Sequence, residues 1–277
     1  MESLKKLYQW QQNLSETEKM PALFLGHGSP MNAIDENIFV QNWRKLALEI
    51  PKPRAILVIS AHWETKGTKV TAMEHPRTIH DFGGFPKALF EVQYPAQGDP
   101  ELAEYISGVL NHFTEVELDQ VWGLDHGNWS VVRHLYPNAD IPVLQLSLDY
   151  SKPAHYHYEL ARELQILRKK GILIIGSGNM VHNLRMIAWD NMLEPGFGYD
   201  WALEINEKMK DLIVAKKHQE LINYQHFGLA GNYAIPSPEH YLPLLYSLAV
   251  QDEKDEISFL NDIPVGGSLT MTSVVLK

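Results

Sequence analysis

Thirteen histidines and no cysteine stand in this 277-residue chain. Any metal must therefore be held by imidazole and carboxylate. Disulfides, iron–sulfur clusters and cysteine nucleophiles are excluded. Imidazole without thiolate suits zinc, iron, copper or nickel, whereas calcium and magnesium want oxygen ligands. Three histidines share one context, an apolar run that meets small residues. They are His27 in Leu25-Gly26-His27-Gly28, His62 in Ser60-Ala61-His62-Trp63 and, a little later, His182 in Gly178-Asn179-Met180-Val181-His182. His240 follows Pro238-Glu239. Together they form a candidate mononuclear metal site, and open coordination positions would permit catalysis. Glu239, Asp81 or Asp125 could add a carboxylate. The spacing contains no short signature such as H-E-x-x-H.

Two further histidines suit a substrate pocket. His126 lies in Asp125-His126-Gly127, where glycine lets a backbone approach closely, and reads as an acid/base group. His80 lies in Ile79-His80-Asp81-Phe82-Gly83-Gly84-Phe85-Pro86 and reads as a pocket residue with Phe82 and Phe85. His75, His112, His134, His155, His157, His218 and His226 read as solvated surface residues. No G-x-x-x-x-G-K-[ST] loop and no G-x-S-x-G elbow is present. Gly176-Ser177-Gly178 does not complete a dinucleotide fingerprint, because the sixth position is Val181.

These side chains need elements to deliver them. Ala22 to Leu25, Ala55 to Ser60, Ile141 to Leu148 and Ile172 to Ile175 are runs apolar on both faces, as buried central strands are. Residues 68–73 and 269–276 predict further strands. Helices are expected over 4–13, 35–50, 100–112, 129–135, 153–170, 200–215 and 238–249. The last would take Ser237 as its N-cap and Pro238 at its first position. On such a helix Glu239 and His240 would point about 100° apart, so only one could be a ligand. Residues 74–98, rich in Pro, Gly and aromatics, predict a long functional loop. No linker or repeat divides the chain, so one three-layer α/β/α domain with a mixed, mostly parallel sheet is expected over 20–277, after an extension over 1–19. Open sheets of this kind bind ligands at the carboxyl ends of their strands.

Lys and Arg number 24 against 34 Asp and Glu, a net charge of −10. Such a chain repels polyanions, so neither nucleic acid nor an anionic membrane is expected as a partner. No apolar run reaches the roughly 18 residues of a membrane span. The polar N-terminus lacks a signal-peptide core, and a cytoplasmic location is expected.

Six motifs in order carry a resemblance. They are Pro21 to Met31, Ser60 to Trp63, Ile79 to Pro86, Asp125 to Gly127, Gly178 to Asn183, and Pro238-Glu239-His240-Tyr241-Leu242-Pro243. Together they resemble the DOPA 4,5-dioxygenase type of class III extradiol ring-cleavage dioxygenases, similar to the protocatechuate 4,5-dioxygenase beta subunit. The resemblance implies a catechol such as DOPA and dioxygen as substrates, in a monomer or small homo-oligomer. It also implies one divalent metal per chain, Zn2+ as isolated or Fe2+ for ring cleavage, on His27, His62, His182 and His240. Non-haem iron oxygenases commonly use two histidines and a carboxylate. Four neutral imidazoles would leave the full metal charge in place and favour zinc. His182 has two possible roles, ligand or base; the ligand role is preferred, with His126 as acid/base. His80 to Phe85, Asp81 included, would close the pocket, and Arg185 would meet a substrate carboxylate. A zinc hydrolase and a non-catalytic metal-binding protein are the alternatives.

Overall fold

The structure, a computed structural model, describes residues 17–192, 194 and 196–277. The apolar runs form the centre of one sheet. Its strands are β1 (Ala22–Gly26), β2 (Ala55–Thr65), β3 (Thr68–Thr71), β4 (Val116–Asp119), β5 (Val143–Asp149), β6 (Ile172–Gly178), β7 (Ile257–Leu260) and β8 (Ser273–Leu276). The order across the sheet is β4-β3-β5-β2-β6-β1-β8-β7. The central four, β5, β2, β6 and β1, run parallel. β8 pairs antiparallel with β1, and β3 with β5. Every residue of β1, β5 and β6 is buried, which is why these runs show no alternation.

Successive side chains point to opposite faces, and helices cover both. The long helices are α1 (Ile38–Glu49), α2 (Pro100–Leu110), α3 (His126–Leu135), α4 (Ala154–Arg162), α5 (Asp200–Val214) and α6 (Leu242–Ala249). Phe24, Leu57, Leu146 and Ile174 pack with Ile106, Leu160, Met209 and Leu245 from α2, α4, α5 and α6. On the other face Leu25, Val58, Val143 and Ile175 pack with Trp43 of α1 and Trp129 of α3. The expected three-layer α/β/α domain is what the chain forms. Among the described residues no helix is long and apolar enough to cross a membrane.

Several boundaries differ from expectation, each for a local reason. α3 starts at His126 rather than 129, because the Asp125 carboxylate accepts the Asn128 N–H at 3.1 Å and caps it. The helix expected from 238 starts at Leu242, because the Ser237 hydroxyl donates to Glu239 Oε1 at 2.8 Å instead of capping. Residues 153–170 break between Ala154–Arg162 and Gln165–Arg168. The last strand breaks between Leu269–Thr270 and Ser273–Leu276. β4, β7 and the short helices His218–Ile222 and Gly228–Ala234 were not foreseen. The helix expected over 4–13 lies outside the described residues.

The seven surface histidines divide. His75, His112, His155 and His226 are exposed. His134 and His157 are instead buried. Side-chain and backbone partners make burial tolerable: His134 Nε2 donates to Asn32 O at 2.8 Å, and His157 Nδ1 lies 2.9 Å from the Tyr246 hydroxyl. His218 is half-buried, its Nδ1 2.8 Å from the Tyr158 hydroxyl.

One buried ion pair ties the segment before β1 to the segment before β7 and to β8. Arg168 donates to both oxygens of Asp255, at 2.5 and 3.0 Å, and to the carbonyls of Met20, Val250 and Leu276. Lys19 adds a second cation at 2.5 Å. Burial alone would raise the Asp255 carboxyl, but Arg168, the Asp252 amide and Lys19 hold it below the usual range. Its stabilising contribution is therefore present above about pH 4 and is lost as pH falls through the depressed value. Asp255→Asn is expected to destabilise the fold by about 3–5 kcal/mol, because it leaves a buried guanidinium without its counter-charge. The denaturant midpoint reads this directly.

Candidate metal centre

Strand ends bring the histidines together. Gly26 pairs with Gly178, and Ser60 with Ser177, so β1 and β6 finish at one level of the sheet, where β2 passes beside them at Ser60. His27 follows β1 at once. His62 sits inside β2, where the register against β5 shifts between Ile59 and Glu64. Such irregularities re-aim side chains. His240 arrives from the other direction, on the turn before α6, and its carbonyl accepts the Asn179 N–H at 2.9 Å. Gly178 permits this approach, since a Cβ there would lie 2.1 Å from the His240 carbonyl oxygen.

The three rings form a nearly equilateral triangle. Their centroids are 5.0 Å apart for His27–His62, 5.3 Å for His27–His240 and 5.0 Å for His62–His240. His27 Nε2 and His62 Nε2 are 3.1 Å apart. Bonds of ~2.0–2.1 Å from nitrogen to one ion, at tetrahedral or octahedral angles, separate two nitrogens by roughly 2.9–3.4 Å. One potential ligand atom from each of the three lies within 4.8 Å of the others. The residues present fit a metal ion.

Neighbours fix which nitrogen each ring offers. The Ser177 hydroxyl donates to the Gly127 carbonyl at 2.5 Å, so it accepts from His27 Nδ1 at 3.0 Å. That leaves the lone pair of His27 on Nε2. His240 Nδ1 donates to Glu239 Oε1 at 3.2 Å, with the same consequence. Glu239 and His240 thus sit on a turn, not a helix, and the expected 100° divergence does not apply. Glu239 meets the ring of His240.

His182 is brought to the same place but stands differently. Its ring stacks on His240 with centroids 3.5 Å apart and planes 6° from parallel. An ion shared by two rings stacked this way would lie out of the plane of at least one of them, although one donor atom each from His182, Glu239 and His240 lie within 4.8 Å of one another. As the rings stand, His182 and His240 are not in-plane ligands of one metal. His126 lies against His62, with ring centroids 3.9 Å apart. Gly127 makes that possible, because a Cβ there would come 2.8 Å from His62 Cδ2.

Burial keeps the imidazoles neutral. Desolvation, then repulsion from neighbouring rings, pushes His27 and His240 well below the ordinary histidine value. The same causes push His62 to about 3, and burial takes His182 to about 4. Asp125 is fully buried beneath the cluster, held by Ser60 at 2.7 Å and Gln145 at 2.7 Å. Desolvation and nearby Asp81 raise its carboxyl. It supports the site from below instead of facing it.

The aromatic loop forms one wall. Phe82 packs edge-on to His126 at 5.5 Å and to Phe85 at 5.5 Å. His80 donates from Nε2 to Val92 O at 2.9 Å and packs on Trp129 at 5.6 Å, bracing Phe82 from behind. Arg185 is exposed, three residues beyond His182. Ser177, placed by the sequence only in an incomplete dinucleotide fingerprint, is the hydroxyl partner of His27 Nδ1. Its signal was a hydroxyl in an otherwise apolar buried strand.

Comparison with known proteins agrees with this geometry. Residues 21–264 match the family described as the catalytic LigB subunit of aromatic ring-opening dioxygenase. The chain belongs to that family. It is 47% identical over 265 residues to a 4,5-DOPA dioxygenase extradiol of Escherichia coli strain K12, covering 94% of this chain and 96% of that one. It is 35% identical to a protein of the same name from Beta vulgaris, covering 94% and 97%. A crystal structure of an uncharacterised Escherichia coli K12 protein superposes with a TM-score of 0.81 at 43% identity, over 94% of this chain and 100% of that one. Membership selects ring opening among the chemistries left open by the histidines. The chain is a metal-dependent extradiol ring-cleaving dioxygenase.

Two outcomes follow. His62→Ala is expected to lower metal affinity by more than the roughly 10–100-fold that loss of a supporting residue costs, and Ser177→Ala by about that range; metal retained after dialysis against a chelator measures both. In the metal-free protein the buried histidines must stay neutral, whereas unfolded ones protonate near pH 6.5. Its stability should therefore fall as pH drops below about 6.5, visible as a falling urea midpoint.

Proposed function

We propose that this chain opens a catechol of the DOPA type with dioxygen, at an iron(II) held by His27, His62 and His240. The converging imidazole triangle carries the reading, and the names of the similar proteins supply the substrate class. Iron(II) supplies the one-electron chemistry that lets triplet dioxygen react with a singlet catechol, which zinc lacks.

The chain's own residues do the rest. Unlike the four-histidine set expected from the resemblance, this reading uses three ligands and frees His182. His126 and His182 flank the triangle and take the catechol protons. His182 stays neutral through the physiological range and so is ready to accept. Phe82 and Phe85 lie along the ring face of the substrate and exclude water. Arg185 takes the substrate carboxylate. Both oxygen atoms enter the product, and the ring opens at the carbon–carbon bond beside the diol.

Protein loaded with iron(II) under anaerobic conditions and mixed with DOPA and air should consume dioxygen and develop a yellow ring-opened product. No oxygen uptake with DOPA or any of a panel of catechols overturns the proposal.

A further inference from the structure

We propose that Asp81 is the positioning residue of His126, gripping it at two points and fixing its proton on Nδ1, so that the substrate-facing loop and the proton acceptor move as one unit. The proposal rests on the reading of His126 as a proton-transfer group.

The geometry is a two-point clamp. Asp81 Oδ1 accepts the His126 backbone N–H at 2.9 Å, and Oδ2 accepts from Nδ1 at 2.9 Å. Both contacts cross 45 positions of chain. The cap of α3 is already Asp125, so Asp81 is not needed to start the helix. It takes instead an N–H at the first helical position, which has no partner within a helix. A carboxylate has no proton to offer. Nδ1 must therefore carry the hydrogen, and the lone pair lies on Nε2. The His126 side chain is 7% exposed, so water competes weakly for it; the Asp81 side chain is 18% exposed on a residue that is itself open to solvent.

The clamp also joins two functions. Asp81 is followed directly by Phe82, which packs on the His126 ring. Trp129, one turn into α3, donates from Nε1 to the Ile79 carbonyl at 2.7 Å and fixes the start of the loop. Displacing the loop removes the aromatic wall and releases the His126 ring in one event. A rival exists, since one donor atom each from His62, Asp81 and His126 lie within 4.8 Å of one another and could hold an ion. Both Asp81 oxygens are engaged by N–H donors, however, and an ion there would have to displace the Nδ1 proton.

Asp81→Asn tests this. The amide nitrogen must face one of the two N–H groups, donor against donor. In metal-free protein labelled with 15N-histidine, one ring should change from the Nδ1–H to the Nε2–H form, identified as His126 by its absence in His126→Gln. In iron-loaded protein kcat should fall by about 10²–10⁴-fold, the usual worth of a positioned acid or base, with KM little changed. Metal content should hold, and Asp81→Glu should restore part of the rate. An unchanged tautomer in Asp81→Asn overturns the clamp. Metal lost in step with activity overturns it in favour of a ligand role. A switched tautomer with kcat intact removes His126 from the reaction and overturns the catalytic half, while the iron site stands on its own oxygen-uptake test.

Discussion

The site depends on keeping several imidazoles neutral, close together and aimed at one point. A buried histidine is neutral because charging it without water is unfavourable. Crowding reinforces this, since each protonated ring would repel the next. The price of such a cluster is that every ring needs its second nitrogen satisfied, and the surrounding fold is arranged around that need. Ser177 serves His27, Glu239 serves His240 and Asp81 serves His126. None of these three partners comes from the same element as another.

This arrangement alters the charge argument drawn from ligand types. Three neutral imidazoles, if they alone held an ion, would leave its charge unbalanced by the atoms that touch it. Asp81 and Glu239 stand one hydrogen bond further out. The negative charge is present but displaced, so the contrast with a two-histidine, one-carboxylate site is one of distance more than of total charge.

The sheet was legible because its central strands are unbroken apolar runs, and His27 and His62 were legible because they end such runs. The remainder depended on contacts between distant segments. No local pattern distinguishes His157, buried against Tyr246, from the exposed His155 two positions earlier. Ser237 looked like a cap because its side-chain chemistry allows one; its hydroxyl is used on Glu239 instead. The stacking of His182 on His240 is likewise invisible in spacing, since it follows from two turns meeting over Gly178. β4 and β7 escaped because short edge strands with exposed residues carry little periodicity.

His27 and His240 belong to opposite ends of the chain, yet their rings meet. A triangle built from such remote positions cannot assemble early in folding, because closing so long a loop is entropically unfavourable until the sheet exists. An ion that recognises all three rings therefore recognises only the finished molecule. Its binding favours the native state by mass action and disfavours every partly folded one. A chain that has not joined β1 to β6 and the turn before α6 would present single, scattered imidazoles, so such an ion would bind the completed sheet and not its parts.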